Sequence, residues 1–439
     1  MSKERFNNIP DEPRTVAIVG LGYVGLPLAL LFAQKGFHVL GIDLDHQKIK
    51  KLSRGQSYII EVEDQEIQSA LEAKRFTPSD QYSVMDKAEA IIICVPTPLT
   101  SYGTPDLSFL TQAAKEIKSR LREGQLVILE SSTYPGTTRE VLLPILSKSG
   151  LRVGVDFHAA YSPERVDPGN KEYRVENIPK VVSGITPDCL SRAVELYRQV
   201  FAQVHKMSST DAAEMTKLLE NAYRLVNISF INELAMICDV LDLNLWEIIE
   251  AAATKPFGFK AFYPGPGVGG HCIPVDPSYL AWKIKQYGIS SDFIQTSNAV
   301  NRMMPLYITQ QLKLHLAPKA LTSTNILVYG AAYKPDIADY RESASIELIH
   351  LLQIEGAGVY YHDPYVPSMQ VGAHTLESTP LTEALIKSMD CIVIATDHSS
   401  LPLPLLLEHA ALIYDTRNVT KDAVGKAKIV RLGGGKGEL

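Results

Sequence analysis

No run of apolar residues in this chain approaches the roughly 18 that a membrane-spanning helix requires, so a membrane protein is not expected. The opening residues, MSKERFNNIPDEPR, are polar and carry no apolar core of the kind a secretory signal needs. Cysteine is sparse as well. The five residues Cys94, Cys189, Cys238, Cys272 and Cys391 lie far apart, are odd in number and form no CxxC pair. That usage favours a reducing compartment over a disulfide framework, and the cytoplasm is the simplest location. Positive charge is not in excess either: 43 Lys and Arg stand against 49 Asp and Glu, a formal balance of −6. A broad nucleic-acid surface needs clustered basic residues and is not expected, whereas local basic sites for phosphates stay open.

What is present is ample material for folded cores. The composition is 46% hydrophobic and 21% charged over 439 residues, a length that exceeds what one core organises and points to two or three domains. In TVAIVGLGYVGLPLALLFAQKG a β-rich run, Thr15–Val19, ends in a glycine turn, and a helical pattern follows and stops at Gly36. HVLGID (His38–Asp43), AIIICVP (Ala90–Pro96) and QLVILESS (Gln125–Ser132) read as further strands with helical stretches between them, the pattern of a parallel, doubly wound sheet. The same succession returns in NILVYGAAYK (Asn325–Lys334), GVYYHDP (Gly358–Pro364), CIVIATDH (Cys391–His398) and ALIYDTRN (Ala411–Asn418).

The expected fold is therefore α/β, with two Rossmann-like doubly wound domains joined by a central helical domain that contains a long helix. The domains are placed at 1–208, 209–316 and 317–432, with GGGKGEL as a flexible tail over 433–439. The central stretch opens on a polar cap, SSTDAAEMTKLLENAYRLVNISFINELAMICDVL, before an apolar-periodic run. Such a helix can supply a dimer surface or serve as an ordinary linker.

Gly20, Gly22 and Gly25 form GxGxxG between a strand and a helix. Glycine allows the tight turn and lets the backbone approach a pyrophosphate, whose charge suits a helix N-terminus. Asp43 ends the next strand at about the expected distance of roughly 20 residues. Its carboxylate would accept hydrogen bonds from a ribose and repel the extra phosphate of NADP, so NAD is favoured. The competing reading is a packing turn with a loop-capping acid.

GPGVGGHCIPVDP (Gly265–Pro277) surrounds one cysteine with glycines and prolines, a loop where backbone and ligand can approach closely. A cation or oriented N–H groups there would turn the Cys272 thiol into a thiolate nucleophile; the alternative is a free structural cysteine, the first reading for Cys94 and Cys391. His271, Cys272 and Asp276 have no second Cys or His at common zinc spacing, so no metal is expected. Glu214, Lys217 and Asn221 fall at i, i+3 and i+7 on one helical face. By periodicity they read as a solvated polar face with a Glu–Lys pair, or as a lysine and an amide able to hold an oxyanion.

Together these segments resemble the UDP-glucose/GDP-mannose dehydrogenase family from about Arg14 to Leu432. The blocks VGLGYVGLP, CVPTP, ESSTYPGTT, SPERVDPG, EMTKLLENAYR, GVGGHCIPVDP and YKPDIADYRES occur in the family's order. The resemblance implies two successive hydride transfers from C6 of a nucleotide sugar to NAD, a long-helix homodimer or higher homo-oligomer, and a C-terminal sugar-nucleotide domain. It implies that Cys272 is the nucleophile, that Lys217 and Asn221 stabilise oxyanions, that Asp276 orients water with Lys217, and that Glu164 and Thr133 handle water. The cofactor residues it implies are Gly20, Gly22, Tyr23, Val24, Gly25, Asp43, Lys48, Pro96, Thr97 and Thr133. Substrate contacts are implied at Glu164, Lys217, Asn221, Tyr263, Gly269, Lys334, Arg341 and Arg417, although each of the last three also suits a surface ion pair.

The family's UDP-glucose and GDP-mannose enzymes typically read GGSC followed by PKD. This chain has GGHC and PVDP, and so resembles the subgroup acting on UDP-N-acetylhexosamines. AAATKPFGF and YPGPG (Tyr263–Gly267) look most like the UDP-N-acetylglucosamine 6-dehydrogenases of bacterial surface-polysaccharide pathways. The expected substrate is UDP-N-acetylglucosamine, followed by UDP-N-acetylmannosamine, UDP-N-acetylgalactosamine and UDP-glucose. Two competing functions stand beside it. A β-hydroxyacid dehydrogenase would share the Rossmann domain and the helical Lys and Asn but need neither the cysteine loop nor the second α/β domain. A non-catalytic sensor of NAD or UDP-sugar would need no complete catalytic set.

Overall fold

The computed structural model describes residues 14–59, 62–100, 102–165, 175–270 and 272–435, with the backbone alone at Cys272. The chain divides into two compact units: residues up to Glu220 with Ser278–Gly288, and Asn221–Pro277 with Ile289–Leu439. The division falls inside two helices, Thr210–Leu241 and Cys272–Lys285.

The first unit is built on an eight-stranded sheet of β1 (Thr15–Val19), β2 (His38–Ile42), β3 (Phe76–Ser79), β4 (Ala90–Ile93), β5 (Leu126–Leu129), β6 (His158–Tyr161), β7 (Lys180–Gly184) and β8 (Val204–Lys206), in the order β3-β2-β1-β4-β5-β6-β7-β8. β1 shows why TVAIV becomes a central strand. Val16 and Ile18 enter one apolar layer with Leu26, Leu30 and Phe32 of the helix Gly25–Gln34, while Ala17 and Val19 enter the opposite layer with Leu110, Ala114 and Ile117 of the helix Ser108–Arg120. A strand covered on both faces needs a continuous apolar run, and each large side chain so buried contributes about 1.5–3 kcal/mol.

The sheet is not wholly parallel, as the sequence pattern had implied. β6 and β7 pair antiparallel, Ala160 opposite Gly184 and Tyr161 opposite Ser183. Among the described residues between them there is only the 3₁₀ turn Val175–Asn177, and an antiparallel neighbour is one that re-enters the sheet from the end the chain left.

The second unit repeats the logic with β9 (Asn325–Tyr329), β10 (Gly358–His362), the hairpin of β11 (Ser368–Val371) and β12 (His374–Glu377), β13 (Cys391–Ile394), β14 (Leu412–Asp415) and β15 (Lys428–Arg431). Five of these form a parallel sheet, β10-β9-β13-β14-β15. Ile326 and Val328 of β9 join one apolar layer, Leu327 and Tyr329 the other. In the same unit Ile231, Ala235 and Cys238 of the long helix share a core with Met304, Ile308 and Leu312 of the helix Asp292–Leu316. Gly433 accepts a hydrogen bond from the Leu245 N–H (2.8 Å), and the Trp246 indole donates to the Leu432 carbonyl (2.8 Å). Residues 436–439 of the expected tail lie outside the described residues. Among the described residues no helix is long and apolar enough to cross a membrane.

Candidate active site

The glycine turn lies where the strand order reverses, between β1 and β4. Gly20 has φ +93°, and a Cβ there would meet the Cys94 carbonyl oxygen at 2.6 Å. Around Gly22 a Cβ would meet nothing within 4 Å, so the backbone at the start of the helix is open to a ligand. Asp43, directly after β2, turns its carboxylate back to this turn: it accepts from the Leu21 N–H (3.0 Å), the Asp45 N–H (3.0 Å) and the Lys48 ammonium (3.3 Å). Tyr23 and Pro96 are exposed and Val24 is half-buried, whereas Thr97 is buried and donates to the Ser132 carbonyl (2.7 Å). An open helix N-terminus with a half-buried acid at the neighbouring strand end fits a dinucleotide.

The second unit builds the same turn and uses it differently. Gly330 has φ +92° at the reversal between β9 and β13. Here the strand-end acid, Asp363, is buried and accepts from both Ala331 (2.7 Å) and Ala332 (2.9 Å) N–H groups. His398 Nδ1 accepts from the Asp336 N–H (3.0 Å), which leaves the proton on Nε2, 3.0 Å from the Asp363 carboxylate. Burial raises the Asp363 pKa, but His398 and the backbone donors outweigh it and hold the carboxyl below its usual value. An acid so enclosed has no face for a ribose.

Glu214, Lys217 and Asn221 are all on the helix Thr210–Leu241, and all are buried. The solvated-face reading is therefore overturned, and no Glu–Lys pair forms among the described contacts of Glu214. Its carboxylate instead takes the Gly136 N–H (2.6 Å), the Thr138 N–H (2.8 Å) and the Thr138 hydroxyl (2.6 Å). Burial raises its pKa to about 7 against the pull of these donors. The Lys217 ammonium makes no ion pair or hydrogen bond with a described residue. One turn later, the Asn221 amide donates to Asp276 Oδ2 at 2.5 Å, joining residues 55 apart in sequence. The cysteine segment is only half loop: the backbone turns helical at Cys272 and stays so to Lys285. Pro274 is tolerated because the first-turn N–H groups of a helix need no partner within it. His271 and the Cys272 side chain lie outside the described residues.

The glycines before this helix press on the C-terminal domain. A Cβ on Gly269 would sit 2.6 Å from Tyr333 Cβ, one on Gly265 would sit 2.7 Å from the Arg417 guanidinium, and the Gly270 N–H donates to the Arg341 carbonyl (3.1 Å). Tyr333 directly precedes half-buried Lys334. The Arg341 side chain forks onto Asp339 (2.6 and 2.9 Å), as the ion-pair reading had it, and Arg417 donates to the Ala395 carbonyl (2.7 Å). Exposed Tyr263 stacks on Trp246 at an interplanar angle of 14°. The Gly265 N–H is held by Asn232 (2.9 Å), which donates to Asn301 (3.0 Å). In the first unit Thr133 is fully buried, and its hydroxyl has no hydrogen-bond partner among the described residues; Glu164 is buried too.

Three family models match in succession: the NAD binding domain of the UDP-glucose/GDP-mannose dehydrogenase family over residues 14–201, its central domain over 211–303 and its UDP binding domain over 327–422. The chain belongs to the UDP-glucose/GDP-mannose dehydrogenase family. It is 38% identical over 388 residues to the UDP-N-acetyl-D-glucosamine 6-dehydrogenase of Pseudomonas aeruginosa, covering 88% of this chain and 90% of that one. The UDP-D-ManNAc dehydrogenase of Pyrococcus horikoshii superposes with a TM-score of 0.87 at 33% identity, covering 96% of this chain and 99% of that chain. A UDP-glucose dehydrogenase of Pyrobaculum islandicum does so at 0.86 and 26%, covering 98% and 100%.

As a member of the UDP-glucose/GDP-mannose dehydrogenase family the protein is an NAD-dependent oxidoreductase of nucleotide sugars. The residues that could hold NAD are those of the glycine turn with Asp43. Sequence reasoning in this UDP-glucose/GDP-mannose dehydrogenase family member missed Tyr333, Asn232 and Asn301, which brace the cysteine segment. The only signal for the asparagines was a polar residue inside an apolar helical stripe. It also missed the buried trio Glu130, Lys180 and Tyr197 of the first unit.

Proposed function

We propose that the protein oxidises the C6 alcohol of UDP-N-acetylglucosamine to the carboxylate in two steps, through a covalent intermediate on Cys272. The observation that carries this reading is the Asn221–Asp276 pair, which joins the long helix, one turn beyond buried Lys217, to the helix that starts at Cys272. A helix N-terminus favours negative charge and thereby a thiolate. NAD, when bound, supplies the acceptor for both hydrides. Cys272 Sγ adds to the C6 aldehyde carbon, and Lys217 and Asn221 hold the resulting oxyanion through their N–H donors. Once the second hydride has left, the carbon is a thioester. Glu164 and the buried Thr133 hydroxyl then position a water, Glu164 accepts its proton, the C–S bond breaks and the thiolate is regenerated. Asp276 fixes the Asn221 amide and, with Lys217, orients that water.

In this division of labour residues 1–208 hold NAD, 209–316 carry the nucleophile and pair two copies, and 317–432 hold the UDP-sugar, with Tyr263, Gly269, Lys334, Arg341 and Arg417 at the substrate. A cytoplasmic location suits the reduced cysteines. The GGHC and PVDP wording and the 38% identity to a UDP-N-acetyl-D-glucosamine 6-dehydrogenase support the glucosamine epimer. The likeness to a UDP-D-ManNAc dehydrogenase makes the mannosamine epimer the second reading.

The test is a panel of UDP-N-acetylglucosamine, its manno and galacto epimers and UDP-glucose, with NADH counted per sugar and the product weighed by mass spectrometry. Two NADH per UDP-N-acetylglucosamine and its uronic acid are expected. Faster turnover of UDP-glucose overturns the N-acetyl assignment, one NADH per product revives simple alcohol oxidation, and binding without NADH points to a sensor. Cys272→Ser should stall net turnover; full acid formation by that variant refutes the covalent route.

A further inference from the structure

The first unit buries a lysine that the proposed chemistry does not use. Lys180 opens β7, and its ammonium lies 2.8 Å from the carboxylate of Glu130, the residue that follows β5. Both are almost inaccessible, at 7% and 0% of side-chain surface. Tyr197 donates its phenol to the same carboxylate, and the ammonium sits over the rings of Tyr197 (5.3 Å) and Phe201 (5.1 Å). A buried ion pair is weak evidence for stability, because desolvation offsets most of the attraction. Its position is more telling. β6 and β7 pair Ala160 with Gly184 and Tyr161 with Ser183, and Glu164 follows the end of β6 by three residues. Glu164 and Lys180 line one narrow pocket, with Val24 of the glycine turn and Arg165.

We propose that Lys180, anchored by Glu130, is a positioning residue that supplies the counter-charge for Glu164 and aims its carboxylate at the water that cleaves the thioester. The inference rests on the reading of Glu164 as the group that accepts the water's proton. Among the described residues lining this pocket, Arg165 is the other cation. Arg165 is committed to Glu220 (2.7 Å), and burial pushes the Cys94 thiol well above its ordinary pKa, so it stays neutral. Tyr197 is a neutral donor to Glu130. Burial opposes the Lys180 cation, but the Glu130 and Glu164 carboxylates outweigh it and set its pKa above the usual lysine value. Without the lysine, two buried carboxylates would face each other, which favours a proton on one of them.

The test compares full-length wild type, the double variant Lys180→Met with Glu130→Gln, which removes both buried charges, and Lys180→Arg, with UDP-N-acetylglucosamine and NAD. Rapid-quench intact-mass measurement reads the fraction of enzyme carrying an acyl group, and kcat is followed against pH. Lys180→Gln, which leaves the Glu130 and Glu164 carboxylates without the cation between them, should accumulate acyl-enzyme, lose about tenfold or more in kcat with KM little changed, and move its acid limb to higher pH, whereas the double variant, which removes a net-neutral pair, should accumulate acyl-enzyme with the acid limb near the wild-type position. Lys180→Arg should restore most of the rate. Lys180→Gln keeps a donor to Glu130 without the charge, so its accumulation of acyl-enzyme tests the role if the double variant does not fold. A folded variant with the wild-type acid limb and no acyl-enzyme overturns the inference. Glu164→Gln separates the two layers: hydrolysis at the wild-type rate in that variant removes the Glu164 assignment itself. If Glu164→Gln accumulates acyl-enzyme and the Lys180 variants do not, the role of Lys180 alone falls.

Discussion

At the residue scale, Asp43 and Glu214 show how one carboxylate reads differently once its donors are known. Asp43 is half-buried beside Lys48, 3.3 Å away. Replacing it by Ser removes the charge that repels a 2′-phosphate and frees a lysine that attracts one. Asp43→Ser should therefore raise kcat/KM for NADP relative to NAD by about tenfold or more, about 1.4 kcal/mol, read from initial rates with each cofactor. Glu214 was visible as part of a polar stripe, but not its burial, because the segment Gly136–Thr138 that covers it lies 76 or more residues away. Its folded pKa of about 7 exceeds the ordinary 4.5. The folded state thus holds a proton that the unfolded state has released, and the stabilisation this proton provides is complete below about pH 4.5 and is lost as pH rises through about 7. Glu214→Gln lacks this dependence. The difference in Tm, wild type minus variant, should shrink as pH is raised from 5 to 8; a difference that grows would reverse the assignment.

At the element scale, the regular strands were legible where they are central. TVAIV, AIII, LVIL and their C-terminal counterparts are continuous apolar runs because both faces are covered. HAAY, KVVSG and VHK were not, since segments of three to five residues broken by polar ones carry no usable period. The cysteine segment mixed both cases. Its glycines announced close approach, yet the surface approached, Tyr333 and the carbonyl of Glu342, could only come from the fold. A methyl on Gly269 would lie 2.6 Å from Tyr333 Cβ and 2.9 Å from that carbonyl, both rooted in backbone and unable to yield. Overpacking of this kind costs about 1–3 kcal/mol. In Gly269→Ala the strain should appear as a KM for UDP-N-acetylglucosamine raised about tenfold, with the KM for NAD little changed, since the cofactor turn belongs to the other unit. An equal rise for both would mean that the substitution acts through general destabilisation.

At the scale of the whole molecule, the repeat of strand, glycine turn and strand-end acid was readable twice along the chain, and so was the helical stretch between. What could not be read is how the second copy changed its use: only the enclosure of Asp363 by Ala331, Ala332 and His398 explains why GAAYKPD lost the dinucleotide fingerprint. The surface of the long helix carries the remaining question, how many chains make the enzyme. Tyr223, Phe230, Ile237 and Leu241 follow at intervals of 7, 7 and 4 on the helix Thr210–Leu241, and all four are 44–60% exposed. That spacing places them on one face, and an exposed apolar stripe of this length marks an interaction surface. A second copy meeting it about a two-fold axis would bury each residue twice. Phe230 and Ile237 are already about half-buried in the single chain, so replacing both by Asp removes about 3 kcal/mol or more of apolar burial, some two decades in dissociation constant. Light scattering at micromolar concentration should give twice the chain mass for the wild type and a single mass for Phe230→Asp with Ile237→Asp. A double variant that keeps the dimer mass moves the interface elsewhere, and a wild type of single mass removes the dimer.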